Sequence, residues 1–263
     1  MLGAHTDSVA SGPGINDNGS GSAALLDLAL LLARYKVKNR VRFAFWTMEE
    51  SGLLGSKHWV ATAPPALRDS IRLYLNFDMI GSPNFIFGAH DAHHAAVPAP
   101  PGSAHPQALF SDFFAARGWN STAVPFNGRS DYGPFIAVGI PANGVFTGSD
   151  DAKTKEEQRM FGGKAGIPYD KNYHLPRDDV ANVHQGAFLI NARAIAHALA
   201  TYSLSWEGVP PRNASVSKLP RRSAAEMPLV FGGGCGAHHD VVVNNEAVLP
   251  PGGVKEMSMG DVW

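Results

Sequence analysis

The 263-residue sequence has very little cysteine, no long apolar run and no excess of either charge. Its one cysteine, Cys235, excludes a disulfide bond within the chain. No apolar run approaches the roughly 18 residues that a membrane-spanning helix needs. The 22 basic and 23 acidic residues leave a net charge of -1, which provides no basic surface for nucleic acid or an anionic membrane. We therefore expect a protein that binds neither.

The sequence carries few signals of cellular location. Residues 1–5 have the pattern of a strand, so we expect no signal peptide in this chain. A buried strand at the first residue also predicts that the natural protein has further elements before it. Asn120 and Asn213 each begin a glycosylation tripeptide, NST and NAS. Such tripeptides are common by chance and favour a secreted glycoprotein only weakly.

Apolar segments alternate with helical patterns along the first 206 residues. The patterns predict strands at MLGAH, RVRFAFWTM, IRLYLNFDMI, NFIFGA and near 141–147. They predict helices over 19–35, 51–62, 106–117 and 184–203. This alternation is typical of a three-layer α/β/α fold with a twisted, mainly parallel central sheet.

Two stretches lack this alternation. Residues 88–106, GAHDAHHAAVPAPPGSAHP, are rich in alanine, proline and histidine and predict a mobile surface loop. From residue 207 onward, proline, glycine and polar residues replace any periodic pattern. We therefore expect one folded domain over residues 1–206, without its N-terminal elements, and a poorly structured tail over 207–263.

Polar side chains lie where the predicted strands end. His5 and Asp7, in HTD, end the first strand on the same side of it, Glu49 and Glu50 follow the second, and Asp78 follows the third. Each has an ordinary structural explanation, such as a polar strand end or a solvated turn. In an open α/β sheet, however, ligands bind where the carboxyl ends of parallel strands meet. The sequence therefore predicts that these side chains converge.

Two loops supply further candidates. Asp17, in GINDNGSGSAA, can cap a helix, but Asn18 and Ser20 can serve as caps instead and leave Asp17 free. A free carboxylate can bridge two cations that lie roughly 3.5–4 Å apart. His174, in NYHLPRDD, is either a surface histidine or a ligand, and Asp178 can orient it or cap the next helix.

Together these residues provide two histidines and three carboxylates: His5, Asp17, Glu50, Asp78 and His174. That set suffices for two cations that share Asp17. Mixed nitrogen and oxygen ligands favour a catalytic pair of Zn²⁺ ions, with Co²⁺ or Mn²⁺ as substitutes. Of two adjacent glutamates, one can bind a metal while the other acts as a general base. The histidines of residues 88–106 lack strand ends and further acidic residues beside them, and the CGAHHD cluster lies in a glycine-rich tail that could not hold a metal site in shape.

Five segments, taken in order, resemble one enzyme family. They run from residue 1 to about residue 205: GAHTDSV…GPGINDNGSGSAALL, WTMEESGLLGSKHWV, YLNFDMIGSPN, GRSDYGPF…GIPANGVFTG and YDKNYHLPRDD. They are similar to the co-catalytic di-zinc aminopeptidases, the secreted or vacuolar leucine aminopeptidase and aminopeptidase Y type of bacteria and fungi.

The resemblance implies a role for each candidate. It implies one zinc bound by His5, Asp17 and Asp78, and a second bound by Asp17, Glu50 and His174. It further implies Glu49 as general base, Tyr173 as hydrogen-bond donor to the oxyanion, and Asp7 as partner of His5. Arg129, Met79 and Phe146 match the substrate-binding positions. The peptide bond between Asp17 and Asn18 is expected to be cis.

The expected activity is hydrolysis of the N-terminal residue, a large hydrophobic one, from peptides or proteins. The resemblance also implies an extracellular or vacuolar monomer. Three alternatives stay open. A metal-dependent carboxypeptidase or dipeptidase uses a similar ligand set, and a glutaminyl-cyclase-like acyltransferase generally uses one zinc. The third is a catalytically impaired interaction protein, disabled by the missing N-terminal part.

Overall fold

The computed structural model describes residues 1–212, 239–243 and 255–256. Within them, one sheet contains seven strands: β1 (Leu2–His5), β3 (Val41–Trp46), β4 (Tyr74–Phe77), β5 (Gly88–His90), β6 (Thr122–Val124), β7 (Ala142–Phe146) and β8 (His239–Val243). Their order is β6-β5-β7-β4-β1-β3-β8. Neighbours are parallel except at β5–β7 and β3–β8. A separate short ladder pairs β2 (Tyr35–Lys36) with β9 (Lys255–Glu256).

Helices cover both faces of the sheet. They are α1 (Gly21–Leu32), α2 (Leu54–Thr62), α3 (Pro65–Ser70), α4 (Ala104–Ala115), α5 (Tyr132–Ala137), α6 (Lys155–Phe161) and α7 (Gln185–Leu204). On one face, α1, α4 and α7 bury side chains such as Leu25, Phe110 and Ile195. On the other, α2 and α5 bury Trp59 and Phe135 in a second cluster. The predicted three-layer α/β/α fold with a mainly parallel sheet is confirmed.

The periodic patterns located most of the long elements. The helices predicted over 106–117 and 184–203 correspond to α4 and α7 within two residues at each end. The helix predicted from residue 19 begins after an irregular helical turn, Ile15–Ser20. Short elements such as α5, α6 and β6 have three to seven residues, too few to give a reliable period.

The surface loop predicted over 88–106 is wrong at both ends. Gly88–His90 form the buried strand β5, and α4 begins at Ala104. His90 is buried, with its ring 4.8 Å from that of Tyr132 and 6.3 Å from that of Phe146. His90, predicted at the surface, is therefore packed among aromatic side chains. Burial lowers the pKa of His90 to about 4, so its ring is neutral.

Parts of the predicted tail are described. Val209 is buried, and its carbonyl accepts a hydrogen bond of 2.8 Å from Arg72. Strands β8 and β9 also lie beyond residue 207. Residues 213–238, 244–254 and 257–263, which include Asn213 and Cys235, lie outside the described residues, so the domain boundary stays a prediction. None of the described helices is both long and apolar enough to cross a bilayer.

The topology brings the candidate residues to one edge of the sheet. Strands β1, β3, β4 and β7 are parallel neighbours and end at this edge. His5 is the last residue of β1, Glu49 follows β3, and Asp78 follows β4 directly. This edge is where open α/β sheets bind ligands.

Candidate metal centre

Asp17 lies between the two candidate histidines. Its Oδ1 is 3.2 Å from Nε2 of His5, and its Oδ2 is 3.1 Å from Nε2 of His174. Each imidazole also faces a second carboxylate. Nε2 of His5 is 3.2 Å from Oδ1 of Asp78, and Nε2 of His174 is 3.0 Å from Oε2 of Glu50. The five candidate ligands therefore form two clusters that share one carboxylate.

These distances fit divalent cations with tetrahedral coordination. Ligand atoms about 2.0–2.1 Å from a tetrahedral zinc ion lie roughly 3.3 Å from one another. The nitrogen–oxygen separations here are 3.0 to 3.2 Å. Among the described residues, Nε2 of His174 is buried and faces only carboxylate oxygens, and Oε1 of Glu50 is buried without a hydrogen-bond partner. An unpaired buried polar atom costs about 1–3 kcal/mol, and a cation bound beside Glu50 would remove that cost.

Glu49 adds a third acidic side chain to the cluster of His5. In the described part of the chain, two sets of three side chains each place one ligand atom per residue within 4.8 Å of the other two. One set is His5, Glu49 and Asp78, and the other is Asp17, Glu50 and His174. Glu49 is only 9% exposed. It therefore borders the first cluster, whereas Glu50 belongs to the second.

The backbone of both glutamates is held by Asp7. Its Oδ1 accepts the backbone N–H of Glu49 at 3.1 Å, and its Oδ2 accepts that of Glu50 at 3.2 Å. Nδ1 of His5 lies 3.1 Å from the backbone carbonyl of Asp7 and 3.5 Å from its Oδ1. Asp7 thus contacts His5 mainly through its main chain, and its carboxylate orients the two glutamates.

Asp178 holds the loop that carries Asp17. Its two carboxylate oxygens accept the backbone N–H groups of Asn16 and Asp17 at 2.9 and 3.0 Å. Asp178 neither caps the next helix nor hydrogen-bonds to His174, contrary to the two roles predicted for it. Its neighbour Asp179 caps the following 3₁₀ turn, and the described hydrogen bonds of the Asp178 carboxylate go to Asn16, Asp17 and Asn182. The peptide bond between Asp17 and Asn18 is cis, as the resemblance implied.

His174 lies in a strained loop beside an aromatic ring. Its φ of +57° is in the left-handed region, which costs roughly 1–2 kcal/mol for a residue with a side chain. The ring of Tyr173 stacks on the imidazole with 3.8 Å between centroids. The hydroxyl of Ser11 donates a hydrogen bond of 2.7 Å to the carbonyl of His174. These contacts keep the imidazole directed toward Asp17 and Glu50.

Asp78 has a hydrogen-bond donor that the sequence did not reveal. The hydroxyl of Ser130 donates to Oδ2 of Asp78 at 2.6 Å, while Oδ1 faces His5. Ser130 lies in the segment GRSD, but a lone serine gives no signal of contact with a residue 52 positions away. Met79, directly after Asp78, has a φ of +53° and donates its N–H to Oδ1 of Asn18 at 3.2 Å.

The three candidate substrate-binding residues lie in different settings. Arg129 is exposed, and its backbone N–H donates to Asn127 at 3.2 Å. Met79 is buried beside Asp78. Phe146 is half-buried at the end of β7, where it stacks on His90. Their roles in substrate binding stay predictions.

Crowding of carboxylates shifts several pKa values. Burial and the neighbouring Asp78 raise the pKa of Glu49 to about 9. Burial and Asp17 raise the pKa of Glu50 to about 7. At His5 burial disfavours the charged ring, but the surrounding carboxylates, Asp78 foremost, outweigh it and raise the pKa well above its usual value. Without a cation the centre therefore binds protons in its place.

We expect the metal-free protein to lose stability as pH rises from about 5 to 9. Glu49, Glu50, His5 and Asp131, whose pKa burial raises to about 7, all bind protons more tightly in the folded state than in the unfolded state. Their contribution to the free energy of unfolding is complete below the unfolded-state pKa values. It is lost as the pH rises through the folded-state pKa values. Asp17, with a pKa lowered to about 2, acts in the opposite direction only below about pH 4.

Thermal unfolding of chelator-treated protein measures this effect. The midpoint is expected to fall by about 5 °C or more between pH 5.5 and 9, since about 1 kcal/mol corresponds to 2–4 °C in a domain of this size. Glu49→Gln, which removes the largest of the carboxyl shifts, should flatten the slope. A midpoint that stays constant or rises over this range would contradict the electrostatics described above.

A family model and close relatives match the chain. The model of Peptidase family M28 matches residues 1–199. Leucine aminopeptidase 2 of Trichophyton equinum is 48% identical over 243 residues, which cover 92% of this chain and 48% of that protein. Probable leucine aminopeptidase 2 of Aspergillus fumigatus is 47% identical over 248 residues, 92% of this chain and 49% of that protein. The chain spans about half the length of these curated relatives.

Solved structures support the fold. A zinc aminopeptidase from Bacillus subtilis has a TM-score of 0.60 at 23% identity, over 82% of this chain and 47% of that one. Glutaminyl cyclase from Porphyromonas gingivalis has a TM-score of 0.57 at 18% identity, over 75% of this chain and 71% of that one. Identities this low establish a common fold alone. Because the family model matches most of the chain and the relatives share nearly half of its residues, the chain belongs to Peptidase family M28.

Proposed function

We propose that this chain is the metal-binding core of a zinc-dependent aminopeptidase that removes a large hydrophobic N-terminal residue from peptides or proteins. The observation that supports it best is the position of Asp17, with one carboxylate oxygen toward His5 and the other toward His174. The relatives named leucine aminopeptidase 2 and the zinc aminopeptidase from Bacillus subtilis favour the same reaction. An extracellular or vacuolar monomer is part of the proposal.

The proposed centre holds two Zn²⁺ ions, with Co²⁺ or Mn²⁺ as substitutes. His5, Asp17 and Asp78 would bind one ion, and Asp17, Glu50 and His174 the other. When bound, the pair would activate a water molecule near neutral pH and polarise the scissile carbonyl. Two histidines with three carboxylates provide the borderline nitrogen and oxygen ligands that zinc accepts.

Glu49 is the proposed general base. Its carboxylate takes the proton of the attacking water and returns it to the leaving amine. In the metal-free protein, burial and the neighbouring Asp78 raise the pKa of Glu49 to about 9. Two bound cations would favour its carboxylate form, in which it can accept the proton of the water.

Tyr173 is the proposed donor to the oxyanion. Burial, followed by the charges of Asp17 and Glu50, raises the pKa of Tyr173, so the phenol keeps its proton throughout the neutral range. Stacking on His174 limits the directions that its hydroxyl can take. A donor held toward the developing negative charge stabilises the transition state more than the ground state.

The proposed specificity for a free N-terminus follows from charge. The carboxylates of Glu49 and Asp78 lie in one cluster and attract the ammonium group of a substrate. Met79 and Phe146 would contact the first side chain of the substrate, and Arg129 would help to bind the N-terminus. An acetylated or otherwise blocked terminus carries no positive charge and would bind weakly.

Hydrolysis of chromogenic leucine amides tests the proposal. The zinc-loaded protein is expected to release p-nitroaniline from leucine p-nitroanilide at least about 100-fold faster than from the N-acetyl derivative, because a missing charged contact costs roughly 3 kcal/mol. Equal rates on both amides would indicate another peptidase class. Failure to cleave either, in protein that binds two zinc ions, would favour a catalytically impaired protein.

The fold similarity to a glutaminyl cyclase supports one alternative. An acyltransferase of that kind generally needs one zinc ion, whereas two ligand clusters that share Asp17 fit two ions. Metal content after zinc loading and gel filtration distinguishes them. About two ions per chain supports the aminopeptidase, and about one, with cyclisation of an N-terminal glutamine, supports the alternative.

A further inference from the structure

We infer that Trp46, Tyr74, Asn76 and Ser130 form a directional hydrogen-bond relay that fixes the orientation of the Asp78 carboxylate. In this relay Trp46, Tyr74 and Asn76 are positioning residues that act on the metal centre through Ser130. The inference rests on the proposed function, because Asp78 is a ligand only if the centre binds metal. It concerns three buried side chains for which the reaction itself assigns no role.

The four side chains make consecutive contacts through the protein interior. Nε1 of Trp46 lies 2.8 Å from the hydroxyl of Tyr74, which lies 2.9 Å from Oδ1 of Asn76. Nδ2 of Asn76 lies 2.9 Å from the hydroxyl of Ser130. That hydroxyl lies 2.6 Å from Oδ2 of Asp78. The contacts link β3, β4 and the loop before α5 to the metal centre.

The donor at each step follows from the first residue. The indole N–H of Trp46 can only donate, so the Tyr74 hydroxyl accepts from it and gives its single proton to Oδ1 of Asn76. This leaves the amide NH₂ of Asn76 facing Ser130, whose hydroxyl must accept it. The one proton of Ser130 is then directed at Asp78. Oδ2 of Asp78 is therefore occupied, and Oδ1 is left for His5 and the metal.

The first three side chains of the relay are buried and closely packed. Trp46, Tyr74 and Asn76 are each at most 1% exposed. The ring of Phe135 stacks on Tyr74 with 3.9 Å between centroids, and Trp59 lies 6.1 Å from Trp46. Buried hydrogen bonds gain strength from the low local dielectric, and leaving one partner unpaired costs more than in water. The orientation of each group is therefore strongly preferred.

Gly3 leaves the space that the relay needs. In the sheet register Gly3 is paired with Ala44 on one side and Asn76 on the other. A Cβ atom at Gly3 would collide with the Tyr74 hydroxyl and lie 2.6 Å from Nε1 of Trp46. The contact between Trp46 and Tyr74 thus depends on a residue without a side chain at this position of β1.

Loss of the Tyr74 hydroxyl would remove the constraint on Asn76. The side-chain amide of Asn76 could then flip by 180° and present Oδ1 to Ser130. Ser130 would donate to Asn76 instead of to Asp78, and the Asp78 carboxylate would lose its fixed orientation. Partners that orient metal ligands from outside the ligand shell typically change metal affinity by 10–100-fold when mutated.

A double-mutant cycle tests the relay through zinc affinity rather than activity. Every variant carries His174→Ala, so that calorimetric titration with Zn²⁺ reports the site of His5 and Asp78. Tyr74→Phe and Ser130→Ala are each expected to weaken binding about tenfold. The double variant is expected to bind no more weakly than Ser130→Ala alone, since Tyr74 acts through Ser130.

Tyr202→Phe is the matched control. Tyr202 is also buried, and its hydroxyl contacts His105, 2.9 Å away and outside the relay. It should leave zinc affinity unchanged even if it lowers the melting temperature as much as Tyr74→Phe. If Tyr74→Phe does not fold, Trp46→Phe, which removes the N–H donor together with part of the indole ring, should weaken binding in the same direction.

Several results would overturn the relay. Unchanged zinc affinity in Tyr74→Phe would contradict it. So would a double variant whose loss of zinc affinity equals the product of the losses in Tyr74→Phe and Ser130→Ala. Either result leaves the proposed aminopeptidase intact. A parent protein that binds no zinc at all would instead overturn the proposed function and the relay together.

Discussion

Glu49→Gln is expected to lower kcat for leucine amide hydrolysis by about 10³-fold while the protein still binds two zinc ions per chain. The loss corresponds to the removal of a general base, which contributes roughly 10²–10⁴-fold. Glutamine keeps the volume of the side chain and resembles the protonated glutamic acid favoured by the pKa of about 9. We therefore expect the variant to fold normally.

The competing role for Glu49 is that of a ligand. Its carboxylate lies within ligand distance of His5 and Asp78, so the geometry alone permits a direct contact with the metal. The two roles differ in metal content. A general base can be replaced without loss of metal, whereas a lost ligand weakens zinc binding at the His5 site.

Kinetics and metal content must therefore be measured on the same sample. Glu156→Gln is the matched control, since Glu156 is exposed in the first turn of α6, far along the chain from the centre. The control should retain parental kcat and metal content. Retention of parental activity by Glu49→Gln would remove Glu49 from the mechanism, and loss of one zinc ion would reassign it as a ligand.

The sequence predicted the parts of the site that follow from strand order. His5, Glu49 and Asp78 each follow an apolar segment, and parallel strands must end at a common edge. Asp17 and His174 lie in loops, where no periodic pattern indicates which way a side chain points. Their pairing depends on Asp178, which holds the backbone of Asn16 and Asp17 from a distance of 161 to 162 positions along the chain.

The supporting polar residues were not predictable from the sequence. Asn76 lies within an apolar strand and Ser130 in a glycine-containing loop, and nothing in either segment indicates that they meet. Similarly, the aromatic neighbours of His90 come from three separate segments, so its burial was missed. Contacts of this kind depend on the register of packed elements, whereas periodicity reports only which face of one element is buried.

Asp17→Asn is expected to reduce the zinc bound from two ions per chain to one or none and to abolish measurable hydrolysis. An asparagine has one acceptor oxygen, and its NH₂ group would face either His5 or His174. An NH₂ group cannot bind a cation, so at least one cluster loses a ligand. No other carboxylate of the described residues lies within the stated distances of both histidines.

Metal content after zinc loading and removal of free metal measures this loss. Asp27→Asn, an exposed substitution of the same kind on α1, is the matched control and should bind two ions. The metal-free variant also provides an independent check. Asp17 raises the pKa of His174 and of His5, so both imidazoles should titrate at lower pH in Asp17→Asn, as followed by NMR. Two tightly bound zinc ions in Asp17→Asn would contradict a shared carboxylate and, with it, a centre of two ions bridged by Asp17.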